Sequence, residues 1–189
     1  MSVFFSADTH FCHFNIIGYN NRPFKTTVEM NTALIVNWNS VVSSGDVVYF
    51  LGDIGMGKKW ELIDCVRRLN GEIHWIKGNH DKKIVKWSEM KKRFAWIGDY
   101  KEICVKGQKI VMFHYPIASW NGIHRKGWHI HGHTHGTFFD PNNRQVDVGA
   151  DCWNYTPVSF EQLEKYMDSR EFVPVDGHGK QGDYKCSLQ

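Results

Sequence analysis

The segment Glu72-Ile73-His74-Trp75-Ile76-Lys77-Gly78-Asn79-His80-Asp81 decides how the rest of the chain is read. Its first half predicts a short buried strand that ends in Trp75 and Ile76. Its second half stops that strand with glycine and then delivers an amide, an imidazole and a carboxylate in succession. A turn needs glycine and one Asx residue; it rarely needs Asn, His and Asp together. The same pattern recurs on both sides. The apolar run Val3–Ala7 ends at Asp8-Thr9-His10, and Val47–Leu51 is broken by Gly52-Asp53. Ile110–Phe113 ends at His114, and a short strand precedes Gly132-His133-Thr134-His135.

Helices are expected between these strands. Thr26 and Glu29 form a capping-box pattern ahead of Met30, Leu34, Ile35 and Trp38, which predicts a helix over 27–42. Trp60, Ile63, Val66 and Leu69 recur at helical spacing over 60–69, with Gly71 as the stop. Ile84, Trp87, Met90 and Phe94 on one face and lysines on the other predict an amphipathic helix from Lys82 to Phe94. Two strands flank Lys106-Gly107-Gln108, another covers 145–149, and Ser159-Phe160-Glu161-Gln162 caps a last helix. An alternation of strands and helices followed by consecutive strands favours a layered α/β sandwich. We expect one domain over 1–173 and a tail over 174–189 whose Gly-rich composition is that of a flexible segment.

Composition narrows the class. At 42% hydrophobic and 14% aromatic residues the chain can offset the entropy of ordering, so disorder is excluded. No apolar stretch reaches the roughly 18 residues of a membrane span, and an aspartate at position 8 interrupts any secretory signal. The expectation is a soluble cytoplasmic protein with no membrane partner. A net charge of +3 is too small to mark a dedicated nucleic-acid binder. The five cysteines are odd in number and contain no CxxC, which fits a reducing compartment and excludes a disulfide framework. Eleven histidines without paired cysteines point instead to a metal site of nitrogen and oxygen donors.

Taken singly, each motif has an ordinary reading: Gly52-Asp53 as a turn, His114 as a core histidine. Together they place Asp8, Asp53, Asn79, His114 and His133 at carboxyl ends of strands, the edge where open α/β sheets collect their ligands. The order Asp-x-His, Gly-Asp, Gly-Asn-His-Asp, His and Gly-His-x-His resembles the calcineurin-like metallophosphoesterase superfamily over residues 8–135. The opening Asp8-Thr9-His10-Phe11-Cys12-His13-Phe14-Asn15-Ile16-Ile17 is similar to that of small bacterial and phage phosphoesterases of this superfamily.

The resemblance implies a four-layer αββα sandwich, two mixed β-sheets flanked by helices, carrying two divalent metal ions. It implies that Asp8, His10 and His135 hold the first ion, that Asn79, His114 and His133 hold the second, and that Asp53 bridges them. Two adjacent cations repel, and a shared carboxylate is what offsets that repulsion. The implied reaction is hydrolysis of a phosphoester, diester favoured over monoester, by a hydroxide held between the metals. His80 then stabilises the transition state or protonates the leaving oxygen. In many relatives a second aspartate three residues beyond the bridging one orients this histidine. Here Met56 stands there, which leaves Asp81 as the nearest carboxylate in sequence. The sulfur-free donor set favours manganese or iron, with zinc or nickel as alternatives.

Substrate residues are less marked. His13 and Asn15 follow the first motif, and Trp120, Asn121, His124 and Arg125 lie in the loop between two ligand blocks. Asp81 is a further candidate to support the site, and Asp151, Trp153 and Asn154, which follow the last ligand block, are candidates to buttress the site or a partner surface. The basic run Lys82, Lys83, Lys86, Lys91, Lys92 and Arg93 reads first as a solvated helix face, with Lys82 and Lys83 nearest the site. The expected partner is a phosphorylated small molecule or nucleotide-type substrate, with nucleic acid less favoured. A nuclease, or a catalytically silent metal-binding or interaction module of the same fold, is the alternative.

Overall fold

A computed structural model gives the fold and describes residues 1–138 and 144–170. Among the described residues, nine strands form two sheets. The first has the order β4 (Phe94–Gly98), β3 (Glu72–Ile76), β2 (Val47–Phe50), β1 (Val3–Ser6), β9 (Val158–Ser159). Its first four strands run parallel and β9 is antiparallel to β1. The second has the order β5 (Tyr100–Val105), β6 (Gln108–Phe113), β7 (Trp128–His131), β8 (Gln145–Asp147). Here β5 and β6 are an antiparallel hairpin and β6, β7 and β8 are parallel. Both sheets are therefore mixed, as expected.

Strand alternation sorts the apolar residues into two cores. Phe4, Val48, Phe50, Ile73 and Trp75 face outward from the first sheet, against α1 (Phe14–Tyr19), α2 (Thr27–Val41) and α3 (Lys59–Arg67). Phe5, Leu51 and Ile76 face the other way and meet Ile110, Met112, Ile130 and Val146 of the second sheet. The last helix, here α5 (Phe160–Asp168, with α4 given below), adds Phe160, Leu163 and Met167 to this second core. The outer face of the second sheet is covered by the 115–127 loop, which packs Trp120 and Ile123 on Val111 and contains one 3-10 turn, Ile123–Arg125.

Local signals account for several boundaries. The Thr26 hydroxyl accepts the Glu29 amide at 3.1 Å and opens α2. At α5 the capping box closes in both directions: Ser159 Oγ accepts from Gln162 N at 3.2 Å, and Gln162 Oε1 accepts from Ser159 N at 2.9 Å. Lys106 and Gly107 both have positive φ (48° and 83°), the paired left-handed geometry that a two-residue hairpin requires.

The helix expected over 82–94 does not form as one element. A 3-10 turn, Ile84–Lys86, and a short helix α4 (Ser88–Lys91) are separated by Trp87 in an extended conformation (φ −80°, ψ 122°). Phe94 opens β4 and pairs with Ile73. Apolar spacing predicted burial correctly at Ile84, Met90 and Phe94. Two separate turns meet that spacing, and pairing of 94–98 with β3 overrides the helical continuation. The expected tail over 174–189 lies outside the described residues. Among those described, no helix is long and apolar enough to cross a membrane.

Leu163 is wholly buried between the sheets and α5, whereas Glu164 faces solvent. Leu163→Ala is expected to lower unfolding free energy by about 2–5 kcal/mol. Glu164→Ala should change it by less than about 0.5 kcal/mol. Urea unfolding of both variants checks the assignment.

Candidate metal centre

Three adjacent parallel strands of the first sheet, β1, β2 and β3, run into Asp8, Asp53 and Asn79. Two adjacent parallel strands of the second, β6 and β7, run into His114 and the 132–135 turn. The two rims are tied together. Ala7 bridges to Gly149 and His133 N donates to Asp8 Oδ2 at 2.8 Å, while within the second rim Gly132 N donates to His114 O at 3.0 Å. Asp8, His10, Asp53, His133 and His135 all leave their strands with positive φ, between 47° and 71°. Each such residue costs about 1–3 kcal/mol, and strain of this kind gathers at functional sites. Glycine makes room for the carboxylates. A Cβ on Gly132 would stand 2.5 Å from Asp8 Oδ2, and one on Gly78 would overlap Asp53 Oδ1.

The result is two groups of donors. One donor atom each from Asp8, His10 and His135 lie within 4.8 Å of one another, and so do donor atoms from Asp53, His114 and His133. Asp53 Oδ2 stands between the groups, 3.7 Å from His10 Nε2 and 3.6 Å from His114 Nε2. Asn79 Oδ1 lies 2.9 Å from His114 Nε2 and 3.0 Å from His133 Nδ1. These are the seven residues that the sequence nominated as ligands, brought to one place.

Their protonation is set from behind. His114 Nδ1 faces the Leu51 carbonyl at 2.6 Å. A carbonyl only accepts, so Nδ1 carries the proton and Nε2 turns a lone pair to the centre. His135 Nδ1 donates to Asp151 Oδ2 at 2.7 Å, which leaves its Nε2 in the same state. Asp151 is itself gripped by Arg22, through Nε at 2.8 Å and Nη2 at 2.8 Å. Burial pushes the Asp151 carboxyl upward, but the bonds from His135 and Arg22 outweigh it and hold it below the ordinary carboxylate range.

Two buried polar atoms in the centre lack any hydrogen-bond partner: Asp8 Oδ1 and His10 Nε2. Burial, then the charges of Asp147 and Asp53, drives the Asp8 carboxyl well above its usual value. Burial, then His135 and Arg22, drives His10 well below its own. An orphaned buried acceptor costs about 1–3 kcal/mol, and a cation supplies what these atoms lack. The donor set thus fits a pair of divalent ions.

The remaining nominated residues divide. His80 stays at the rim, its side chain 41% exposed, with Nε2 3.9 Å from Asp53 Oδ2 and its backbone N–H on Asp53 Oδ1 at 2.9 Å. His13 leans on His10, with their Nδ1 atoms 3.3 Å apart. Asn15 is exposed on α1. Asp81 does not face His80. Its carboxylate is buried and accepts Gly78 N at 2.7 Å, Asp53 N at 2.9 Å, Ile54 N at 3.0 Å and Trp75 Nε1 at 3.1 Å. It locks the turn carrying Asp53 to the turn carrying Asn79. Trp120 is buried, donates to Gly127 O at 2.9 Å and packs on His129, so it serves the loop's packing. Asn121 binds Glu102, and His124 and Arg125 are exposed on the 3-10 turn.

With this geometry established, comparison with known proteins gives a family. A model of the calcineurin-like phosphoesterase superfamily domain matches residues 1–154. The chain belongs to that superfamily. It is 37% identical over 179 residues to an uncharacterized protein of Methanocaldococcus jannaschii, covering 90% of this chain and 94% of that protein. It is 24% identical over 198 residues to the gene 66 protein of Mycobacterium phage D29, covering 90% and 98%. A crystal structure of a protein of unknown function from Aquifex aeolicus aligns with TM-score 0.68 at 25% identity, covering 87% of this chain and 98% of that one.

Two supports of the centre were not singled out from sequence. Arg22 is 4% exposed and also donates to the Asp8 and Thr9 carbonyls at 2.8 and 2.9 Å; a lone arginine before Pro23 carries no local sign of this. Asp147 accepts Thr134 Oγ1 at 2.6 Å, Gly136 N at 3.0 Å and Gly149 N at 2.7 Å, bracing the 132–136 turn. It ends β8, whereas the strand expected over 145–149 put it in mid-strand, so the strand-end rule that selected the ligands passed over it.

Asp81→Asn puts an amide NH2 where N–H donors converge. It is expected to lower stability by about 1–3 kcal/mol per donor left unpaired, read as a shifted urea midpoint. An unshifted midpoint would contradict the locking role.

Proposed function

We propose that this chain is a dinuclear metal phosphoesterase. The observation that carries the reading is the position of Asp53 Oδ2 between two donor groups, within 3.7 Å of an imidazole of each. In this reading Asp8, His10 and His135 hold one divalent ion, Asn79, His114 and His133 hold the other, and Asp53 bridges. The oxygen- and nitrogen-rich set favours manganese or iron over zinc or nickel. When bound, the two ions supply Lewis acidity and make water a nucleophile at neutral pH.

The chain's own residues do the rest. Leu51 O and Asp151 fix the proton positions of His114 and His135, so that neither imidazole needs to reorient. Arg22 ties Asp151 to the backbone that carries Asp8. Asn79 contributes a neutral oxygen, so of the four charges of two divalent ions Asp8 and Asp53 cancel only two. The excess attracts an anionic phosphate and still allows its product to leave. His80, at the rim and exposed, holds a proton where a leaving oxygen departs. Arg22 lies behind the donors, engaged with Asp151 and the Asp8 and Thr9 carbonyls and so not turned to clamp a second phosphate charge, which supports preference for a diester over a monoester.

Kinetics with matched chromogenic mono- and diesters under added manganese test this. The diester is expected to be the better substrate, and clear monoester preference would overturn that clause. His80→Ala should lower kcat about 10²–10⁴-fold while metal content holds. Asp53→Asn should abolish hydrolysis with the fold intact by circular dichroism. Full activity of Asp53→Asn would remove the bridging role.

A further inference from the structure

A cleft of ≈ 700 Å³ opens beside the centre, lined by Asn79 together with Lys77, Lys82, Lys86, Phe113 and Tyr115. Asn79 belongs to both the cleft and the donor groups, so whatever occupies the cleft is continuous with a group held at the metals. The aromatic lining is continuous too. The Phe113 and Tyr115 ring centroids are 5.5 Å apart, and Tyr115 meets the His133 ring at 4.5 Å. The Tyr115 side is not sealed; the residue is 37% exposed.

The cations of the cleft are unequal. Lys77 is paired with Asp99, also in the lining, at 2.9 Å. Lys82 and Lys86 are exposed, and among the described residues neither pairs with a carboxylate. Lys82, just before the 3-10 turn, and Lys86, at its end, both line the cleft, while Lys91 belongs to α4 and lies outside it.

An exposed aromatic platform beside uncompensated lysines is how proteins hold a base together with its backbone phosphate. We propose that this cleft is a nucleotide subsite: Tyr115 stacks a base, and Lys82 and Lys86 bind a second phosphate beyond the diester under attack. The inference rests on the phosphoesterase reading and sharpens its substrate to nucleotide diesters that carry an additional terminal phosphate.

The test uses dithymidine analogues joined by a bis-methylene phosphinate, CH2–P(O)(O⁻)–CH2, whose two P–C bonds hydrolysis cannot cleave, with and without a 5′-phosphate, titrated calorimetrically into the full-length, manganese-loaded protein. The phosphorylated analogue is expected to bind on the order of tenfold more tightly. Lys82→Gln and Lys86→Gln should each shrink that ratio and weaken its dependence on salt. Lys91→Gln should leave both unchanged. Tyr115→Leu should weaken both analogues on the order of tenfold, and Tyr115→Phe should restore binding. Equal affinity for the two analogues, or an equal effect of Lys91→Gln, would overturn the subsite. Hydrolysis of natural dinucleotides separates the two levels. Turnover without a 5′-phosphate preference would defeat the subsite alone; the binding preference without turnover would defeat the phosphoesterase reading alone.

Discussion

Two buried carboxylates, Asp8 and Asp53, face a common space at the converging ends of two sheets, and the structure around them answers their charge. Burial makes each negative charge costly, and their proximity makes the pair costlier still. Asp8 shows this directly, its carboxyl driven well above the usual range by burial and by its acidic neighbours. Four imidazoles and an amide oxygen surround the pair with donors for cations, whereas the arginine of the site is spent behind it, on Asp151 and on backbone carbonyls. A protein that needed only to neutralise these groups would pair them with Arg or Lys.

The fold delivers this arrangement cheaply. Parallel pairing puts the ends of β1, β2 and β3 side by side, so consecutive motifs along the chain become neighbours in space. Left-handed turns and two close-fitting glycines then swing the side chains over the rim. Asp81 and Asp147 fasten those turns from the rear through backbone N–H groups. Rigid backing of this kind keeps ligand atoms in place without the ions having to assemble them.

Much of this was legible in sequence, for physical reasons. The strand ends at Asp53, Asn79 and His133 are conspicuous because glycine stops the apolar run just before the polar residue, and those at Asp8 and His114 because the polar side chain follows the apolar run directly. Capping pairs marked α2 and α5 because they are local, whereas α1 and β4 were not foreseen. The failure at 82–94 has the opposite cause: the apolar period there was real, but pairing with β3 is a long-range demand that a local period does not contain. Trp120 stands among the substrate candidates for the same reason, since an indole packed under a loop and an indole lining a mouth have identical sequence. Arg22 was missed because its partners, Asp151 and the Asp8 carbonyl, are distant along the chain or belong to backbone. Asp81 was weighed as a partner for His80 from adjacency, but consecutive side chains diverge, and its carboxylate turned to the amides of the neighbouring turn.

The central claim is that two cations share Asp53. Anomalous diffraction from crystals of the manganese-loaded protein tests it most directly. The account predicts two peaks about 3.5–4 Å apart, one at each donor group, with an Asp53 oxygen between them. A single peak, or a pair elsewhere on the molecule, would contradict it.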